Sequence, residues 1–419
     1  MIKPNKIEIM SPVGSYESLH AAIQGGANSV YFGVGKLNMR SRSSANFTIE
    51  DLHEIVRICQ ENNIRSYLTL NTIIYDDELE NMKKTALAAK EAGITAVIAS
   101  DTSVLGFLKS IGLEIHLSTQ NNVSNIDAVR FWSAFADVIV TARELSLIQV
   151  REIVEAIERE NITGPSGELV QIEIFVHGAL CMAVSGKCYM SLDQLGYSAN
   201  RGACLQPCRR AYHVKDYDDE VEYLVDNKYI MSPKDLNTIA FVDKIMASGV
   251  KVFKIEGRGR SAEYVKTVTQ CYREAADAVL DGTYSQEKID GWMKRLESVY
   301  NRGFWDGYYQ GRKIGEWTER YGSQATRKKE YLGKVNNYFS KIQVAEIKME
   351  TGELNVGDDI LIMGPSTGVI EQKVEEIRVD LKPVEKTEKG DVASIAISEL
   401  VRRGDKLYKW VENIIDPLA

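Results

Sequence analysis

Along the first two-thirds of the chain, short apolar runs alternate with stretches whose apolar residues recur every three or four positions. The runs are IEIM from Ile7, SVYFG from Ser29, SYLTL from Ser66, AVIAS from Ala96, EIHLS from Glu114, DVIVT from Asp137, QIEIFV from Gln171 and KVFKIEG from Lys251. Each has the length of a buried strand. Between them SYESLHAAIQGG, TIEDLHEIVRICQENN and DDELENMKKTALAAKEAG carry helical spacing, and several close on Gly or Asn as helix C-caps do. Eight strand–helix units in roughly 300 residues predict an α/β fold, a closed (β/α)8 barrel of the TIM type. The alternative, a doubly wound open sheet, lacks its nucleotide fingerprint. VYFGVGKLN has a G-x-G after a strand but neither a third glycine nor a helix directly following.

One connection breaks the rhythm. After the seventh strand, ending near His177, about fifty residues pass before LNTIAFVDKIMASG, and loops that long are usually functional or internally structured. This one holds four cysteines and then a hairpin pattern from AYHVKDY to VEYLVDN. It leaves the C-terminal face of a barrel, where active sites are built. The barrel pattern finishes with SAEYVKTVTQCYREAADAVLDG and EKIDGWMKRLESVYN, followed by the aromatic stretch GFWDGYYQG and the polar YGSQATRKKE. The boundary falls there, giving a barrel over 1–325, with its cysteine segment at 177–210, and a second domain over 326–419. In the second domain, alternating apolar residues broken by Gly-Asp turns predict a small all-β barrel. Its LNVGDDILIMG and VRRGDKLYK pieces resemble the second domain of translation elongation factors. With the basic Arg327-Lys328-Lys329 ahead of it, the domain reads as a docking surface for RNA or as a structural or dimerisation appendage. Oligomeric state stays open.

Composition changes the picture little. Hydrophobic residues at 44% and charged residues at 26% describe an ordinary globular protein. A net charge of −8 argues against a large nonspecific nucleic-acid surface but leaves room for a local basic groove. The start, MIKPNKIEIMSPVG, has no apolar signal region, and no run is long enough to cross a bilayer, so the expectation is a cytoplasmic chain with no membrane partner.

The chemistry is concentrated in the cysteines. Cys59 and Cys271 sit alone in helical patterns and read as core. Cys181, Cys188, Cys204 and Cys208 are separated by six, fifteen and three residues. In a chain with no secretory signal, such thiols point to a metal rather than to disulfides. Four sulfurs suit an iron–sulfur cluster or tetrahedral zinc. The paired CxxC knuckles of zinc ribbons are missing, which favours iron–sulfur with zinc second and unligated thiols third.

Strand ends offer a polar rim: Ser11, Ser15, Asn71, Asp101, Ser118, Gln120, Asn121, Arg143, Glu144, His177 and, in IEGRGR, Glu256, Arg258 and Arg260. MRSRSSANF adds Arg40, Arg42 and Asn46, and RRAY adds Arg209 and Arg210. Arginine forks suit carboxylates and phosphates, so Arg258, Arg260, Arg40, Arg42, Arg209 and Arg210 are the substrate-binding candidates. Of the five histidines, His20 and His53 read as structural, and His116 reads either as a core residue or as facing the barrel interior. His213 is left without a role, and His177 is the proton-donor candidate. There is no HExxH, no G-x-S-x-G, and no single cysteine set apart as a nucleophile.

The segment EIFVHGALCMAVSGKCYMS resembles the signature of the bacterial U32 family, long named collagenase-like peptidases. MSPVGSYESLHAAIQGGANSVYFG, RGACLQPCRR, YIMSPKDLNTI and VFKIEGRGRSAEYV support the resemblance over about three-quarters of the chain, and it continues through the C-terminal barrel. In full architecture the chain is similar to the prephenate-dependent tRNA uridine hydroxylases, which make 5-hydroxyuridine at the wobble position. Other members assist oxygen-independent hydroxylation in ubiquinone synthesis; there one ligand lies elsewhere and this kind of C-terminal barrel is absent. The resemblance implies a [4Fe–4S] cluster on Cys181, Cys188, Cys204 and Cys208, tRNA as partner, prephenate as co-substrate and room for an electron-donor protein. On that basis Arg258 and Arg260 are expected to grip the carboxylates of prephenate or an RNA phosphate. Asn71, Gln120, Glu256 and His177 form the catalytic candidates. A U32 peptidase and a non-catalytic RNA-binding factor with a structural metal are the alternatives.

Overall fold

The structure, a computed structural model, describes residues 7–42, 46–212, 230–311 and 315–414. The hairpin pattern and His213 lie outside the described residues. The strands are β1 (Glu8–Pro12), β2 (Ser29–Gly33), β3 (Arg65–Leu70), β4 (Ala96–Ala99), β5 (Glu114–Leu117), β6 (Val138–Val140), β7 (Gln171–Gly178), the short β8 (Asp235–Asn237) and β9 (Val252–Ile255). β1 to β7 pair in chain order, β7 pairs in parallel with β9, and β9 returns in parallel to β1. This is the closed eight-stranded parallel barrel the apolar runs predict.

Burial on both faces explains why the runs are nearly continuous rather than alternating. Outward residues such as Ile9, Phe32, Leu68, Val97, Ile139, Ile174 and Phe253 pack under the helices in one shell. Inward residues Met10, Tyr31, Tyr67, Ala96, Ile98, Val138 and Val252 form a separate cluster inside the barrel. Each fully buried large side chain of this kind contributes about 1.5–3 kcal/mol. Two rim candidates serve the helices instead. The Ser15 hydroxyl accepts from the Ser18 amide at 3.2 Å, and Asp101 Oδ1 accepts from the Ser103 amide at 2.8 Å. Both are N-caps, the commonest work for these residue types ahead of a helix.

LNTIAFVDKIMASG is only partly helical. Its start is β8, antiparallel to the end of β7 with His177 opposite Asn237, and β10 (Phe304–Trp305) pairs on its far side. The helix proper is Val242–Ala247.

Residues 327–412 form an eight-stranded antiparallel sheet around a core that includes Leu332, Val335, Ile347, Ile360, Ile362 and Leu407. Its first strand, Arg327–Phe339, starts inside the basic triplet, and those cations are paired. Lys329 Nζ lies 2.7 Å from Glu263, and Arg327 meets Glu371 at 3.1 Å and stacks over Trp410. The sheet packs against the helices Tyr16–Gln24 and Ala262–Leu280. Leu361 and Val369 join the shell of the barrel, and Gln24 bonds the backbone of Thr367 and Val369.

Candidate active site

Strand ends and the cysteine segment together enclose a cavity of about 200 Å³ at the C-terminal mouth of the barrel. All four cysteines of the segment line it, along with Asn71 after β3, Gln120 after β5, Lys254 on β9, and Glu256 and Arg258 just beyond. The segment is pinned in place at several points. Arg201 pairs with Glu78 and stacks 3.8 Å over Tyr75, and the Gly202 carbonyl accepts from the Arg42 amide at 3.2 Å. Arg209 lines the cavity too, but its N–H groups fasten the segment, donating to Ser232 Oγ at 3.0 Å and to the Pro233 and Leu180 carbonyls at 2.6 and 2.7 Å.

The donor set suits a soft metal centre, with four thiols lining one cavity. Burial pushes the Cys208 thiol up to about 11 and raises Cys188, and for both the neighbouring cysteines of the set add to the rise. The thiols therefore lie within electrostatic reach of one another. Among the described residues, no group of three or more His, Cys, Asp or Glu is arranged to hold a metal ion as it stands. Ligation would require the segment to draw its sulfurs together.

Arg258, on the lining of the same cavity, is almost fully buried and donates to Thr69 Oγ1 at 2.6 Å and to Asn38 Oδ1. Burial holds its pKa down to about 10. It passes close to β2, where a Cβ at position 33 would overlap its guanidinium and the Asn38 amide and displace them. Glu256 pairs with Arg40 at 2.8 Å. Burial alone would raise this carboxyl, but Arg40, assisted by Arg260 and Arg143, holds it below the usual range, so it is ionised. Asn71 Oδ1 accepts from the Met39 amide at 3.2 Å and Gln120 Oε1 from Ser118 Oγ at 3.1 Å, which orients both side-chain amides.

Below the cavity, a ladder of alternating charges runs down the barrel interior. Lys254 Nζ lies 2.6 Å from Glu173 Oε1, and Glu173 Oε2 faces His116 Nδ1 at 3.4 Å. His116 Nε2 is 3.2 Å from Glu114, whose Oε1 is 2.8 Å from Arg65, and Arg65 reaches Glu8 at 3.0 Å. The Tyr67 hydroxyl donates to Glu8 at 2.7 Å. Burying any one of these ions alone would cost several kcal/mol; the alternation of sign makes the set tolerable. Burial opposes the charge on Glu173 and His116, yet their partners win: Glu173 is lowered by Lys254 and His116, and His116 is raised by Glu114 and Glu173. Lys254 and Glu173 escaped the site prediction. The available signal was a charged residue at an inward position of an otherwise apolar strand.

Three expectations need correction. His177 does not face the cavity. A register shift between Phe175 and His177 sets Phe175 beside Lys254 but His177 beside Ile255, so the ring turns outward against Tyr272, at 5.5 Å between ring centroids. A β-bulge re-aims side chains in this way. Burial, then Arg260, pushes the His177 pKa down to about 3, which leaves a neutral, enclosed imidazole rather than a proton donor at the mouth. Arg258 and Arg260 are not a pair: Arg260 leaves the cavity and stacks 3.5 Å over Tyr300. It lines a neighbouring groove with Arg40 and Arg42. Arg210 is exposed and lines neither space.

The family model described as Peptidase family U32 matches residues 14–319. Over 406 residues the chain is 58% identical to a protein named collagenase from Porphyromonas gingivalis, covering 97% of this chain and 98% of that one. It is 30% identical to the tRNA hydroxylation protein P1 of Bacillus subtilis, covering 89% and 87%. It is also 33% identical to a 23S rRNA 5-hydroxycytidine synthase of Escherichia coli, covering 74% of this chain and 46% of the relative.

Proposed function

The chain belongs to peptidase family U32, and we propose that within it this protein is an RNA-modifying hydroxylase. Its substrate is the wobble uridine of tRNA, converted to 5-hydroxyuridine with prephenate as oxygen source. Its cofactor is a [4Fe–4S] cluster on Cys181, Cys188, Cys204 and Cys208. The observation that carries this reading is the single cavity that those four thiols share with the strand-end residues Asn71, Gln120, Lys254, Glu256 and Arg258. The relatives named for tRNA hydroxylation and rRNA 5-hydroxycytidine synthesis support it.

A bound cluster would supply electron transfer, tuned by its burial and by hydrogen bonds to its sulfurs. The chain's own residues do the rest. Chemistry on a stacked base requires taking it out of the stack, and at about 200 Å³ the cavity has room for a base. The amides of Asn71 and Gln120 can read the donor and acceptor edge of a pyrimidine. Glu256, kept ionised by Arg40, can take up the proton released at the 5-position. Arg258 and Lys254 offer fixed positive charge to the carboxylates of the oxygen donor. Met182 and Met190 add apolar surface to the lining beside the thiols.

Peptide hydrolysis is the second reading, favoured by the name of the Porphyromonas relative. Among the described residues the cavity lining contains no histidine to act as base for a thiol nucleophile. Nucleoside analysis of tRNA from cells with and without the gene separates the two readings. Loss of 5-hydroxyuridine on deletion and its return on re-expression support hydroxylation. Unchanged 5-hydroxyuridine, with gelatin cleavage by the purified chain, would establish the peptidase.

A further inference from the structure

Beside the cavity lies a second, more open space of about 350 Å³. Among the described residues four arginines line it, Arg40, Arg42, Arg260 and Arg302, against one carboxylate, Glu256. It is continuous with the cavity, because Arg40, Cys204 and Glu256 border both. Aromatic rings stack on two of these cations. Arg260 stacks 3.5 Å over Tyr300 and Arg42 lies 4.7 Å over Tyr197. Stacking occupies the face of a guanidinium and leaves its edge N–H groups for a ligand. Neither Arg42 nor Arg260 makes a side-chain hydrogen bond or ion pair among the described residues. Arg302 is tied back to Asp235 at 3.3 Å, which orients it without filling the groove. An acidic chain has thus gathered positive charge beside the cysteine-lined cavity.

We propose that this groove binds the RNA backbone phosphates flanking the nucleotide whose base enters the cavity. The inference rests on the hydroxylase reading and adds to it where the strand runs. Size separates the two spaces. The cavity, at about 200 Å³, is the smaller and suits the base, and the groove, at about 350 Å³, is the adjoining, more open space with charge that matches phosphates. A small dicarboxylate is the poorer occupant, because the cavity already offers it Arg258 and Lys254.

The test is binding of a fluorescein-labelled anticodon stem-loop RNA to the full chain, followed by anisotropy across a range of salt concentrations. Arg42→Gln and Arg260→Gln are each expected to weaken binding on the order of tenfold. Each should also shrink the slope of log affinity against log salt by roughly 0.7–0.9, one phosphate contact. Arg260→Lys keeps the charge and should keep the slope while losing part of the affinity, which separates lost contact from lost folding. Arg57→Gln, on an exposed helix face, should behave as wild type. If the wild-type chain binds the RNA and both Gln variants bind it with the same affinity and slope, the groove is not the backbone site. If they keep RNA binding but lose prephenate binding, the groove belongs to the small anion and the proposal is overturned. If the wild-type chain does not bind RNA at low salt, the RNA reading itself fails, a result distinguishable from both.

Discussion

At the scale of single residues, the charged ladder and His177 make opposite statements about pH. His177 has an ordinary pKa of 6.5 and a folded value of about 3. As pH falls below 6.5 the unfolded chain takes up a proton that the folded chain refuses. The stability His177 contributes is therefore complete above that pH and drains away toward 3, by up to about 1.4 kcal/mol per pH unit. His116 is raised, so its contribution is present below its ordinary pKa and is lost as pH rises through its folded value. A His177→Gln variant should show a shallower fall in stability between pH 6 and 4.5, by close to one proton, in urea titrations at several pH values. Identical slopes would mean the ring is not enclosed. In the ladder, Glu173→Gln leaves the buried Lys254 ammonium without its counter-charge and should cost about 3–5 kcal/mol, read from the same titrations. These residues also mark where the sequence stopped being legible. Strict alternation along QIEIFVHG puts His177 on the inward face with Glu173 and Phe175, and nothing in the letters announces the bulge that turns it out.

At the scale of elements, the eight barrel strands were readable because burial on both faces leaves unbroken apolar runs. The helices were readable from their spacing and their Gly or Asn stops. β8 was not readable: three residues, Asp235–Asn237, carry no period, and their pairing with His177 and Gly178 is made across a gap in sequence of more than fifty positions. Clustering in the sequence did foretell that the cysteines share one space. The spacing gave no hint that Arg209 fastens the segment while Arg210 faces outward. If the four thiols act as one ligand set, Cys204→Ala should lose most of its iron and sulfide when purified anaerobically. Cys59→Ala and Cys271→Ala, at fully buried helical positions, should keep both at a cost of about 1 kcal/mol in stability. Full iron in Cys204→Ala would remove that residue from the set.

At the scale of the whole molecule, the change in composition after GFWDGYYQG announced a second body, but not how tightly it is held. Gln24 meets Thr367 across 343 positions. Leu361 and Val369 are buried against the helices Tyr16–Gln24 and Ala262–Leu280. A chain ending at Ser323 would expose that apolar face. It should therefore melt several degrees lower than the full chain even though the barrel closes without the sheet, and an unchanged melting temperature would show the contact to be energetically idle. No helix among the described residues is long and apolar enough to cross a membrane. Assembled, the molecule brings four thiols, a cavity of about 200 Å³ and an arginine groove to one barrel mouth, and the hydroxylation we propose would draw on all three. The measurement that tests this most directly is the 5-hydroxyuridine content of tRNA, by mass spectrometry of total nucleosides, in a deletion strain re-expressing the wild-type chain, Cys204→Ala or Glu256→Gln. The account predicts restoration by the wild type and little or none by either variant when all three accumulate equally. Full restoration by both variants, or 5-hydroxyuridine that persists in the deletion strain itself, would contradict it.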